Sequence, residues 1–251
     1  MILAGIVLKV GAYGLIRFGY GIFPDVVSQY SYLIGFVGVL SIIYGALNAL
    51  AMKDFKKMVA YSSVSHMGFV FLGLASLTVE GWTGAIFQMV SHGFLSAMLF
   101  FIAGVVSSRV QSREIAKFSG LSSLMPGFTA MVTIAFFASL GLPGFSAFIS
   151  EIMVLFGAFG DRLPIGFTLF ALIGIVLGAA YFLKTLQQMF FGKPDFEDSS
   201  WKAKLTDLSV REWVVLLPLA MISLVLGIWP QLLLDEINPI VISLVQNILS
   251  F

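Results

Sequence analysis

Cysteine is missing from this 251-residue chain, which removes disulfide scaffolds, thiolate metal sites and thiol nucleophiles together. Charge is scarce too. Asp, Glu, Lys and Arg make up 11% of the residues, where a soluble domain carries about 25%, too few to cover a water-facing surface. The net charge is +1 with no basic block, so nucleic acid is not an expected partner. What fills the chain is apolar, with 59% hydrophobic residues and 25 phenylalanines and a mean hydropathy of +1.01. Such a composition predicts an all-α polytopic transmembrane helix bundle, because lipid forces every backbone polar group to find its partner internally. The apolar runs are continuous and lack the alternation of a β-barrel.

Runs near the ~20 residues that cross a hydrocarbon core of ~30 Å fall at 1–20, 31–52, 58–77, 82–106, 125–160, 164–190 and 213–234. That makes about seven spans in a single transmembrane domain. A shorter apolar segment, 237–251, is expected to lie at the membrane interface, and the polar stretch 192–212 is a loop. If the spans alternate in direction, eleven of the fourteen basic residues, from Lys53 to Arg211, share one side. Arg17 and Arg162 fall on the other, and Lys9 lies inside a span. The basic side is expected to be cytoplasmic, with the N-terminus on that side and the C-terminus opposite. The first residues have neither a basic region nor a cleavage motif, so they are not a signal peptide. The chain opens inside an apolar helix, and a truncated product or fragment is expected.

Ionisable groups at membrane depth cost at least ~2.5–3.5 kcal/mol each, and so mark functional positions by default. Four stand out. Lys9 follows eight apolar or glycine residues. His66 lies about 13 Å along the helix from Lys57, His92 about 15 Å from Trp82, and Glu151 about 15 Å from Asp161. Lys184, Arg17 and Arg162 sit at span ends, where long side chains snorkel. Glu151 has the most unusual setting, because 125–160 would make a straight helix of about 54 Å, too long for the core. Within it, Pro143 lacks an N–H and clashes with the preceding turn, while Gly141 and Gly144 permit an extended linker. A broken helix is expected, with Glu151 about two turns past the break. Burial disfavours charge on carboxyl and amine alike, and groups that interact titrate as a coupled set. A row of such groups at one depth suits proton movement within the membrane plane.

The chain resembles the antiporter-like membrane subunit M of respiratory complex I, the counterpart of mitochondrial NADH dehydrogenase subunit 4. The resemblance covers essentially the whole chain. It rests on Leu8-Lys-Val-Gly-Ala-Tyr-Gly-Leu-Ile-Arg17, Asp54-Phe-Lys-Lys-Met-Val-Ala-Tyr-Ser-Ser-Val-Ser-His-Met-Gly-Phe69, Gln88-Met-Val-Ser-His-Gly-Phe94 and Leu140-Gly-Leu-Pro-Gly-Phe-Ser-Ala-Phe-Ile-Ser-Glu151. It implies a proton-translocating subunit of an NADH:quinone oxidoreductase, built from inverted five-helix repeats, in a bacterial inner or mitochondrial inner membrane. Its partners would be other membrane subunits, including sibling antiporter-like ones. NADH, FMN, iron–sulfur clusters and quinone would be held by partner subunits, with no cofactor or metal in this chain. Lys9 matches the lysine linking two half-channels, His66 and His92 match histidines of the central polar axis, and Glu151 matches the broken-helix carboxylate. In sibling subunits and in Mrp-type antiporters that last position is usually lysine. Against the family pattern, 1–20 would be the last helix of the first repeat and about 31–190 the second repeat. A cytoplasmic loop (191–212), a final span (213–234) and the interfacial segment would follow.

Three other readings fit the same residues. His66 and His92, on consecutive antiparallel spans, would suit a haem clamped between them in an electron-transfer protein. A structural remnant would use Gly174 and Gly178 as a close-packing face. A cation/proton antiporter of the Mrp or hydrogenase-linked type is the nearest functional relative.

Overall fold

The computed structural model describes residues 2–160, 162–194 and 201–249, without the side chain of Lys202. The expected loop 191–212 is therefore described on either side of 195–200, and the ends of the expected 1–20 and 237–251 segments lie outside the described residues. All regular structure among the described residues is helical. α1 (Leu3–Tyr20), α2 (Pro24–Gln29), α3 (Ser31–Ala51), α4 (Phe55–Ala75) and α5 (Val79–Val110) come first. Then follow α6 (Pro126–Ser139), α7 (Ser146–Ala158), α8 (Ile165–Phe190), the single turn α9 (Trp201–Lys204), α10 (Val210–Ile228) and α11 (Gln231–Leu249). Seven of these, α1, α3, α4, α5, α8, α10 and α11, are long and apolar enough to cross a bilayer.

Side-chain caps decide where several helices begin. Asp54 accepts the Lys57 N–H at 2.9 Å to open α4, and Thr78 accepts the Gly81 N–H at 3.1 Å to open α5. Ser209 and Glu212 form a reciprocal capping box at α10, so two otherwise unsatisfied donors are met at once. The loops before α4 and α6 are tied together by backbone pairing, Phe55 N–H to Arg113 O and Ile115 N–H to Lys53 O, both 2.8 Å.

Packing between α3 and α4 is backbone against backbone. A Cβ on Gly68 would lie 2.5 Å from the Gly38 carbonyl oxygen, and one on Gly38 would lie 2.9 Å from the Gly68 oxygen. Small residues perform this role in membranes because lipid supplies no hydrophobic force to bring helices together. Gly174 packs tightly too, leaving no room for a Cβ beside Ile42, but Gly178 does not, so the proposed two-glycine face of α8 is half realised.

The span expected at 125–160 is broken as its sequence demands. α6 ends at Ser139 and α7 starts at Ser146, with Gly141 at φ +78° and Gly144 at φ +100° on either side of Leu142-Pro143. Both angles lie in the left-handed region open to glycine. The break is covered by protein: Gly227 of α10 lies so close to the Gly144 carbonyl that no Cβ fits there. Irregular backbone at membrane depth needs such cover.

The C-terminal boundaries require correction. Residues 213–234 do not form one span; α10 stops at Ile228, and Trp229 leaves α geometry (φ −125°, ψ 66°) ahead of Pro230, as a residue before proline tends to. Nor is the last segment a short tail. α11 runs 19 residues and buries Ile237, Val241, Val245 and Ile248, a stripe at helical spacing. Asp235 and Glu236, which fall between the two expected segments, lie within this helix. Counting α6–α7 as one crossing, the described residues hold eight crossings rather than an odd number, so the expectation that the chain ends opposite its start loses its basis.

A polar clamp fixes the lysine-rich face. Asp207 accepts the N–H groups of Gly127, Phe128 and Leu208, each at 2.8 Å, and so caps α6 from a distant loop. Arg109, at the end of α5, reaches both Glu212 oxygens at 2.8 and 3.0 Å and the Asp207 carbonyl at 3.3 Å. Partial burial of the Asp207 carboxyl opposes ionisation, but the three N–H donors and the Arg109 cation outweigh it and hold the group below the usual carboxylate range. A carboxyl lowered in the folded state contributes stability that is complete above its unfolded value of about 3.9 and is lost as pH falls through the folded one. Limited proteolysis of the loop around Asp207 should therefore be flat above about pH 5 and rise below about pH 4. Asp207→Ala should expose the loop at every pH, by the ~1 kcal/mol of a lost cap.

Candidate functional site

Four helices converge on one buried polar cluster. Lys9 from α1, His66 from α4, His92 from α5 and Glu151 from α7 are 8%, 8%, 4% and 4% exposed, so none of the four projects toward lipid. All four sequence-predicted titratable residues are thus brought together, and the hinge residues Gly141, Pro143 and Gly144 lie at the break that delivers Glu151.

Lys9 sits just past a π-type stretch, Leu3–Val7, and its ammonium donates to the Ala4 carbonyl at 2.6 Å. Widened turns of this kind are frequent at functional sites. Its Nζ also meets His92 Nδ1 at 2.7 Å. α1 reaches α5 here through a glycine pair: a Cβ on Gly5 would lie 3.2 Å from the Gly93 oxygen. The Lys9–His92 contact holds one proton between two nitrogens. Either the ammonium donates to the Nδ1 lone pair, or a neutral amine accepts from Nδ1–H.

The second contact is at the far end of the row. His66 Nδ1 lies 3.3 Å from Glu151 Oε1, again close enough for one shared proton. Between the two pairs, the His66 and His92 rings stand 5.6 Å apart between centroids, tilted 41°. The carboxylate is seated against the break itself, since a Cβ on Gly141 would come within 2.7 Å of Glu151 Oε2. The order along the cluster is therefore Lys9, His92, His66, Glu151.

Sequence reasoning confined to charged side chains missed the neutral residues that frame this row. Gln88 lies 3.5 Å from His66 Nδ1 through Nε2, and its Oε1 accepts a hydrogen bond from Ser150 beside Glu151. Ser91 of α5, Ser146 of α7 and Ser223 of α10 form a hydroxyl chain with links of 2.7 and 3.1 Å. A signal for part of this existed: Gln88, Ser91 and His92 stand at i, i+3 and i+4, one face of a helix.

The haem reading gains nothing from this geometry. Each ring directs Nδ1 at another member of the row, and the cavity that His66 lines has room for about one water, far below the ~300 Å³ at which cofactor pockets begin.

Residues 1–178 match the family model described as "NADH:quinone oxidoreductase/Mrp antiporter, TM". The chain is 39% identical over 247 residues to NADH-quinone oxidoreductase subunit M of Rhodobacter capsulatus, covering 98% of this chain and 47% of that protein. It is 40% identical over 248 residues to NADH-ubiquinone oxidoreductase chain 4 of Chondrus crispus, covering 99% and 49%. In three dimensions it is similar to a chain of respiratory complex I from Thermus thermophilus with bound NADH, with TM-score 0.87, 31% identity, and 96% and 50% coverage. A chain of the Mrp complex from Dietzia sp. DQ12-45-1b shares the fold at TM-score 0.86 and 22% identity, covering 98% of this chain and 54% of that one. The chain spans about half the length of the curated relatives it matches. With most of its length inside the matched region, this chain belongs to the NADH:quinone oxidoreductase/Mrp antiporter membrane family.

Proposed function

We propose that this chain carries protons within the membrane arm of a respiratory NADH:quinone oxidoreductase, as the counterpart of the second half of subunit M. The observation that carries the reading is the buried row itself: two proton-sharing pairs, Lys9–His92 at 2.7 Å and His66–Glu151 at 3.3 Å, set end to end. Ionisable groups at such depth mark proton or ion paths. The names of the relatives at 39–40% identity support the complex I assignment, and so does a carboxylate where antiporter siblings usually have lysine. The redox chemistry, with NADH, FMN, iron–sulfur clusters and quinone, belongs in this reading to partner subunits. The basic loops face the cytoplasm or its mitochondrial equivalent. His66, His92 and Gln88 form the middle of the path, and the break of 140–145 gives Glu151 access toward the opposite face.

Coupling among these groups links their protonation, so a change at one member of the row biases its neighbours. The test is electron-driven acidification of vesicles containing the assembled full-length enzyme. Lys9→Ala should assemble normally and lower the protons moved per electron through this subunit. Unchanged acidification by Lys9→Ala would reject the role of the Lys9–His92 pair. Acidification that requires sodium would move the chain to the cation/proton antiporter branch of the family.

A further inference from the structure

We infer that Tyr181 is a proton-transfer residue joining Glu151 to the lysine-rich face through one bound water, a step that rests on the proton-carrying role proposed above. Among the described residues, four buried side-chain atoms lack a hydrogen-bond partner: His66 Nε2, Ser139 Oγ, Tyr181 Oη and Thr168 Oγ1. Three of these four residues, His66, Ser139 and Tyr181, line one small cavity, and Glu151 lines it with them. The cavity has room for about one water, and a buried water needs two to four polar partners. His66, Ser139, Tyr181 and Glu151 supply that set. A buried polar group left unsatisfied carries its full desolvation penalty, and a water bound there removes it.

Tyr181 is the member that leads elsewhere. Its hydroxyl is on the cavity side, next to Gly178, whose added Cβ would lie 3.8 Å from Oη and which itself lines the cavity. The residue also forms part of a second, polar groove with Lys53, Glu114, Lys184 and Gln188. That groove has a volume of about 320 Å³ and is bounded by the loops before α4 and α6 and the end of α8. Tyr181 is 1% exposed. Its side chain is thus the partition between the groove and the buried carboxylate. Proton transfer across it breaks and forms only O–H bonds. When the partition opens to a protonated groove water, the excess proton passes to Oη as the hydroxyl releases its own to the cavity water, and that water passes one to the Glu151 carboxylate, leaving neutral water in the groove and a neutral carboxyl at Glu151. The phenol ends as it began, so no net charge rests on the partition.

Time-resolved infrared spectroscopy of the assembled full-length enzyme during turnover tests this, using the buried carboxyl band that Glu151→Gln deletes. Tyr181→Phe removes one hydroxyl, whose protein neighbour is Ser62, and should slow the rise of that band by about a hundredfold, the low end of losing a positioned proton-transfer group. It should also diminish the solvent deuterium effect on the step. Ser139→Ala, which takes away one anchor of the water, should slow it less. Thr168→Val removes an equally buried unpaired hydroxyl that does not line the cavity, and should leave the rate unchanged. A Glu151 band that rises at the wild-type rate in both Tyr181→Phe and Ser139→Ala overturns the role of Tyr181 and leaves the proton-carrying row standing. Absence of any turnover-linked Glu151 band in the unmodified enzyme overturns both.

Discussion

Glu151→Gln is expected to assemble normally and to slow proton transfer through this chain by about a hundredfold or more, the loss that follows removal of a positioned acid–base group. Glutamine has nearly the shape of glutamate, so its side chain still fits against Gly141 and still reaches His66. What it loses is the ability to take up and release a proton. The contrast with a packing defect is therefore sharp: a cavity-forming variant such as Glu151→Ala would also disturb His66 and the break, whereas glutamine alters chemistry alone. Vesicle acidification measured beside electron transfer checks it. Electron flow that continues with undiminished proton transfer would mean that the path bypasses α7. The size of the expected effect comes from position. Glu151 is the meeting point of the His66 contact at 3.3 Å, the one-water cavity and the broken helix, and among the described residues no second carboxyl lines that cavity.

Residue chemistry made much of this site legible before any coordinates. An unpaired carboxyl, a lysine and two histidines inside apolar runs announce themselves by their cost in lipid, and Pro143 between two glycines announces a break. The order of the row was hidden, because depth along a helix can be counted from a boundary but rotation about its axis is set by partners. That Lys9 meets His92 and not His66 depends on the Gly5–Gly93 approach of α1 to α5, which depends on packing between helices far apart in sequence. Neutral polar residues were harder still. Gln88, Ser139 and Tyr181 carry no desolvation signal as strong as a charge, and serine occurs throughout these helices satisfied by its own backbone, as Ser62 and Ser63 are by the Val59 carbonyl. At the C-terminal end, the expected span 213–234 runs straight through Pro230. The structure ends α10 before that proline, because the residue ahead of a proline is driven from α geometry on steric grounds, and α11 restarts at Gln231 and carries Asp235 and Glu236 inside it.

A backbone substitution should be as damaging as a change in the carboxylate. Gly141→Ala removes no titratable group, yet it strains the chain twice. At φ +78° a residue with a Cβ costs about 1–2 kcal/mol, and that Cβ would lie 2.7 Å from Glu151 Oε2. The end of a glutamate side chain yields more easily than buried backbone, so the carboxylate is the part that moves. Its displacement opens the 3.3 Å contact with His66, and a misplacement near 1 Å at a reacting group costs about a hundredfold in rate. Gly144→Ala supplies the comparison. Its φ of +100° imposes a similar backbone penalty, but nothing lies within 4 Å of the added Cβ. Thermal stability of the assembled enzyme should fall in both variants, whereas proton transfer and the frequency of the Glu151 carboxyl band should change only in Gly141→Ala. Equal loss of transfer in the two would assign the defect to the broken helix as a whole. A selective loss in Gly141→Ala means that the break does more than shorten a long span: its first glycine is the surface against which the proton-carrying carboxylate is held.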